Sequence, residues 1–159
     1  SWGDEFGNLP WLLYSYWRYW KFSGNNDIGK QLFPMLKESA AFLMSKMKKG
    51  EDGYLHLVPS RSPEFTEELY PDANYAVMSA RWVLKTLLEM DTLFKFNDPQ
   101  KTNWLNTFQN LAPYPENEHG LMISANQGFD KGHRHYSHLM AVYPYHMLSP
   151  EIPEKKKAD

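Results

Sequence analysis

"NLPWLLYSYWRYWKFSGNNDIGKQLFPMLKESAAFLMSKMKKG", residues 8–50, is the stretch whose reading decides the fold. Leu9, Leu12, Leu13, Tyr16, Trp17 and Trp20 recur at helical spacing, which puts them along one side of a helix. Asn8 is a candidate cap, Pro10 suits a first turn, and Gly24 supplies a stop. Asn26 or Asp27 can cap a second helix running to about Lys49, with Ile28, Leu32, Met35, Leu36, Leu43 and Met47 as its stripe. Pro34 lies inside it and predicts a kink, because proline removes one amide donor and crowds the preceding turn. Two such helices joined by "SGNND" make an αα-hairpin.

The same grammar repeats downstream. Residues 50–71 contain two glycines and three prolines and lack a helical period, so they read as a long loop, with "GYLHLV" as a short extended piece. Asp72 can cap a third helix, "ANYAVMSARWVLKTLLEMDTLF", marked by Tyr75, Met78, Trp82 and Met90. Asp98-Pro99 opens a fourth, residues 112–132 form a second long loop, and a fifth helix is expected from His135 or Ser137 to just before Pro144. The expectation is an all-α chain of about five helices in αα-hairpins with two long loops, residues 1–150 forming one unit and 151–159 a polar tail. In a ring of such hairpins the long loops gather at one rim, where a site can be built.

The totals exclude several classes of function. Net charge is −2, from 17 basic and 19 acidic residues, which gives no electrostatic reason for a nucleic-acid partner. Lys155, Lys156 and Lys157 form the only like-charge run and read as a solvated tail. There is no cysteine, hence no disulfide framework and no zinc–thiolate site, and no apolar run approaches the ~20 residues of a membrane span. Aromatic residues reach 16%, with 6 Trp, 10 Tyr and 9 Phe. They can build an aromatic core, or a surface on which the apolar faces of sugars stack.

Two motifs carry chemistry. In "PSRSPEF", Pro63 fixes its own backbone and biases Ser62 to an extended form, so a rigid loop can aim the Glu64 carboxyl into a cleft. In "FDKGHRHYSHL", Asp130, His133, Arg134, His135 and His138 crowd together ahead of an apolar run. His-X-His-X-X-His could hold a metal, but no acidic zincin motif accompanies it, and histidines lining a polar pocket or satisfied in the core fit better. "DANY" adds Asp72 and Asn74, with a helix cap as the plain alternative for Asp72.

These stretches, in this order, resemble bacterial glycoside hydrolase family 95 and its relatives, the α-L-fucosidases and related enzymes of the six-hairpin glycosidase class. The resemblance covers residues 8–150, with Ser-Pro-Glu and His-Arg-His-X-Ser-His-Leu as its most specific parts. It implies part of an (α/α)6 toroid and an inverting hydrolase of α-L-fucosides or related α-L-galactosides, without a cofactor or metal. Glu64 then stands as general acid and Asp130 as the aspartate supporting the attacking water, with Asp72 as its rival. His133, Arg134, His135, His138, Asp72, Asn74 and Trp11 would line the sugar site. The asparagines that hold the water in that family match no stretch here, and a toroid of ~12 helices exceeds this length, so the resemblance implies the C-terminal half of a catalytic domain, inactive alone. It also suggests a periplasmic or secreted setting. A non-catalytic carbohydrate-binding relative and a helical interaction scaffold are the alternatives. An acid in this role needs its pKa raised by burial or by a neighbouring negative charge.

Overall fold

The computed structural model describes residues 4–65, 68–130 and 132–149. The chain is mostly helical, with α1 Asn8–Ser23, α2 Asn26–Ser45, α3 Asn74–Phe94 and α4 Lys101–Asn110. The first pair is the αα-hairpin expected from the sequence. Gly24 ends α1 in the left-handed region, where its amide bonds the Trp20 carbonyl. The cap of α2 is one residue earlier than expected: Asn25 accepts from the Asp27 amide at 3.0 Å. Asn8 is the first residue of α1, and its side chain accepts from the Tyr75 hydroxyl at 2.6 Å instead of capping. Helix α2 runs on through Pro34.

Helix α3 is the centre of the structure. Fourteen of its residues are buried, and α1, α2 and α4 all pack on it. Tyr75, Met78, Trp82 and Met90 are each at most 3% exposed, as their spacing requires. Leu13, Tyr14 and Trp20 of α1, Leu32, Leu36 and Leu43 of α2, and Trp104 of α4 complete the core. Much of the aromatic content is therefore core: Trp82 stacks on Tyr145 at 5.2 Å and meets Tyr14 edge-on at 5.5 Å. At the α1–α2 crossing only glycine fits. A Cβ on Gly29 would stand 2.8 Å from the rings of Trp20 and Phe94.

Three expectations are corrected. Helix α2 stops at Ser45, and β1 Met47–Lys49 pairs antiparallel with β2 Leu55–Leu57, so the first long loop opens with the turn and second strand of a β-hairpin, the strand lying within the expected extended piece "GYLHLV". A second short hairpin, β3 Glu116–Asn117 with β4 Gly120–Leu121, sits in the second loop. The fifth helix is absent: residues 132–148 hold one 3-10 turn, Ser137–Leu139, followed by turns. Pro144 limits this segment from one side. From the other, the side chains of residues 133–135 are drawn to Glu64 and to one another. The polar tail, residues 151–159 with its three lysines, lies outside the described residues.

Candidate active site

Two loops meet at the site. The first, residues 58–71, is closed at its base by the Ser60 and Tyr70 backbones, which exchange hydrogen bonds of 2.9 and 3.1 Å. Below that closure Asp72 sits in the left-handed region, φ 50°, a conformation aspartate tolerates better than most residues. It does not cap α3, whose N-cap is Ala73. Its buried carboxylate accepts from the Leu57 amide at 2.8 Å and contacts His56 Nδ1 at 2.6 Å. Asp52 holds the other side of that ring, both its oxygens 3.0 Å from His56 Nε2. The Asp72 contact, foremost, keeps the imidazole pKa above its ordinary value.

The other, the C-terminal segment 132–148, docks on the first through a buried contact between Ser62 and Ser137, Oγ to Oγ 2.6 Å. This brings Glu64 to the histidine motif across some seventy residues of sequence. Glu64 Oε2 accepts from Arg134 Nε at 2.9 Å, makes a second bond to the same guanidinium, and lies 3.0 Å from His135 Nε2. His133 Nδ1 accepts from the His135 amide at 3.1 Å, which leaves its Nε2–H to donate to the Glu64 carbonyl at 3.0 Å. The His133 ring stacks on Phe65 at 4.1 Å. Glu64 has φ 57°, a left-handed backbone that costs a non-glycine residue about 1–2 kcal/mol. Backbone strain of this kind gathers at functional sites.

The electrostatics differ from the expectation. Glu64 is exposed, and the Arg134 guanidinium, then His135, hold its carboxyl below the usual carboxylate range. Neither the burial nor the nearby negative charge that would raise it is present among the described residues.

Beside this cluster opens a cavity of about 320 Å³. Trp11, Tyr136 and Tyr143, all more than half exposed, stand on its wall with Pro63, His135 and Tyr75. The family model of the glycosyl hydrolase family 95 catalytic domain matches residues 1–158, which takes in both loops and all four helices. The chain belongs to glycosyl hydrolase family 95.

A relative within reach of this family 95 chain is Alpha-L-fucosidase 2 of Arabidopsis thaliana, 27% identical over 162 residues. The alignment covers 93% of this chain and 19% of that protein, so the chain spans about a fifth of its relative's length. The relative is a plant protein, so the likeness does not single out bacteria.

Of the residues singled out in the sequence, the structure gathers Glu64, His133, Arg134 and His135, with Trp11 on the same cavity as His135. It commits three others to the framework. Asp72 is spent on Leu57 and His56. Asn74 is fully buried, its Nδ2 donating to the carbonyls of Pro115 and Met122 at 2.8 and 2.7 Å. His138 is 4% exposed, stacks on Phe129 at 4.5 Å, and has its pKa lowered by burial. Asp130 is exposed and has no hydrogen bond or ion pair among the described residues. His133, His135 and His138 do not converge: no group of three or more His, Asp or Glu among the described residues is placed to hold a metal ion. Sequence reading missed Ser62, Ser137 and Tyr143. Ser62 and Ser137 lie inside the two motifs, but nothing in either motif says that they touch each other.

Proposed function

We propose that this chain supplies the general-acid side of a family 95 glycosidase site that cleaves α-L-fucosides or related α-L-galactosides with inversion. The observation that carries it is the convergence of the Ser-Pro-Glu carboxylate with Arg134 and His135 beside an aromatic-walled cavity. In this reading the αα-hairpins form part of an (α/α)6 toroid. A sugar ring stacks on Trp11 and the tyrosines, and His133, Arg134 and His135 bind its hydroxyls. Protonated Glu64 gives its proton to the glycosidic oxygen as the carbon–oxygen bond breaks. A water attacks the anomeric carbon from the opposite face and loses its proton to a base. Inverting geometry leaves ~6.5–9.5 Å between acid and base for that water. Asp130 is the aspartate assigned to support the water, on sequence position alone, since Asp72 is buried and engaged elsewhere.

The acid role carries a condition. With Arg134 bound, Glu64 is ionised at neutral pH. For Glu64 to donate a proton, the guanidinium must exchange the carboxylate for the substrate, and the closed site must exclude water; both changes raise the carboxyl pKa. The same observation favours a second reading, a carbohydrate-binding site that holds a sugar between Glu64, Arg134 and His135 without cleaving it.

Glu64→Gln in the protein that carries this sequence separates the two. Gln keeps the shape and one acceptor but cannot supply a proton. Hydrolysis of a natural fucosyl oligosaccharide should fall ~10²–10⁴-fold with sugar binding retained, and the loss should shrink for a fucosyl fluoride, whose leaving group needs no protonation. Near-normal hydrolysis by the variant overturns the acid assignment. Absence of hydrolysis in the unmodified protein, with sugar binding intact, selects the second reading.

A further inference from the structure

The cavity beside Glu64 does not end at Tyr143. A second cavity of about 300 Å³ shares Tyr14, Arg18 and Tyr143 with the first and continues to Lys21, Phe22 and His146. The two form one groove, running from His135 along the exposed side of α1 toward its C-terminus. We infer that the far part of this groove is a subsite for an acidic sugar residue, a carboxylate- or sulfate-bearing unit of the chain whose fucoside end reaches Glu64; the inference rests on the carbohydrate reading above.

Three observations carry it. First, the far part of the groove carries two cations that are unpaired among the described residues. Arg18 and Lys21 are exposed, and neither has an ion-pair partner among the described residues. Second, the two segments that supply its lining, apart from Pro63 and Tyr75 at the Glu64 end, are free of acid. Helix α1 and residues 132–149 contain no Asp or Glu, in a chain with 19 of them and a net charge of −2. A groove with one sign of charge and low-dielectric walls concentrates its field on a ligand inside it. Third, the cations are interleaved with rings. Arg18 lies over Phe22 at 5.5 Å, Lys21 lies 5.8 Å from Trp17 and 5.3 Å from Trp20, and Tyr143 meets His146 edge-on at 5.7 Å. Rings that stack on a pyranose face, beside a guanidinium that can grip a carboxylate or sulfate with two N–H groups, are the complement of an acidic sugar. The position of Lys21 in the last turn of α1 also suits the helix dipole, but Arg18 has no such explanation and lines both cavities.

The test measures binding to this chain by tryptophan fluorescence, at low and high salt. The probes are a neutral galactose trisaccharide, a galacturonate trisaccharide and a sulfated galactose trisaccharide. An acidic probe should bind about tenfold tighter than the neutral one, the scale of one charge-assisted contact, and lose that advantage in high salt. Arg18→Gln and Lys21→Gln should erase the preference, bringing the acidic probes to the affinity of the neutral one in the same variant, while Arg18→Lys restores part of it. Preference for galacturonate alone assigns the anion as a carboxylate, preference for the sulfated probe alone as a sulfate, and preference for both as any sugar anion. Equal affinity for all three probes, or a preference that survives both substitutions, overturns the subsite. His135→Ala distinguishes the parent reading. If it leaves binding of a fucosyl saccharide untouched while Arg18→Gln still abolishes acid preference, the Glu64 site falls and the subsite stands. The opposite pattern removes only the subsite.

Discussion

Asp72 sits below the Glu64 loop and bonds Leu57 and His56 without touching the Glu64 cluster. Replacing it with alanine strands the buried Leu57 amide, which now bonds it at 2.8 Å, and an unmet buried donor costs about 1–3 kcal/mol. The contact with His56 at 2.6 Å is lost as well, worth about 1 kcal/mol for a ring that is one-third exposed. Alanine at φ 50° adds roughly 1–2 kcal/mol of backbone strain. Asp72→Ala should therefore destabilise the chain by about 3–6 kcal/mol, read by urea unfolding followed by helical circular dichroism. Asp72→Asn tolerates the left-handed backbone and keeps an acceptor for Leu57, so it should lose only the charged contact, about 1 kcal/mol.

The pH dependence makes this test specific. The His56 pKa is raised in the folded state, chiefly by Asp72. Stability from that pair is fully present below the unfolded imidazole pKa of ~6.5 and is lost as pH rises through the raised folded value. The gap between the unmodified chain and Asp72→Asn should be largest near pH 5.5 and nearly vanish by pH 9. The Asp72→Ala gap should shrink over the same range but persist, because the Leu57 amide does not titrate. A gap for Asp72→Asn that ignores pH, or an Asp72→Ala cost below 1 kcal/mol, would refute the role of this carboxylate as the clip below the Glu64 loop.

Other expected outcomes follow from single contacts. Arg134→Gln should raise the Glu64 titration midpoint, followed by carbon NMR of the carboxyl, because it removes the main cause of the depression; an unchanged midpoint would break the Glu64–Arg134 assignment. Gly29→Ala should destabilise by about 1–2 kcal/mol despite alanine's better helix propensity, since the added carbon lands 2.8 Å from packed rings; a thermal melt showing stabilisation would contradict that packing. Tyr75→Phe should cost about 1 kcal/mol in urea unfolding by leaving Asn8 without its 2.6 Å donor.

What the sequence told in advance divides along a physical line. Helices α1 to α3 were legible because each repeats apolar residues at the helical period, and α4 from its Asp98-Pro99 start, but the period marked the buried side only in part: Leu13, Trp20, Leu32 and Leu36 are buried, whereas Leu9, Leu12 and Met35 of the same stripes are exposed. The caps were less so. Asn8 and Asp72 are residue types that favour caps, yet each is drawn away by a distant partner, Tyr75 in one case and the Leu57 amide in the other. Local propensity of about 1 kcal/mol loses to a buried hydrogen bond that nothing nearby in the sequence announces. The missing fifth helix has the same cause: the side chains of residues 133–135 turn toward Glu64 and toward each other, and the one hydroxyl pair that docks the loop, Ser62 with Ser137, spans seventy-five residues.

The site was legible to the level of residue types and no further. Glu64 and the histidine motif could be named from their motifs, but they meet between the 58–71 loop and the 132–148 segment, which the sequence suggested as a helix. Their protonation could not be read, because it depends on which neighbour arrives first. An acid motif invites the expectation of a raised pKa, whereas an arginine one residue from two histidines supplies the opposite field at the carboxylate. The exposed Glu64 carboxylate and its guanidinium therefore form a pair that, in the proposed acid role, substrate binding would have to open. Any ligand that donates to Arg134's place on the carboxylate, or accepts from Arg134 in its stead, acts on that pair. In the proposed reading a sugar hydroxyl would do both, and exchanging the charged guanidinium for a neutral donor would raise the Glu64 pKa relative to the resting pair.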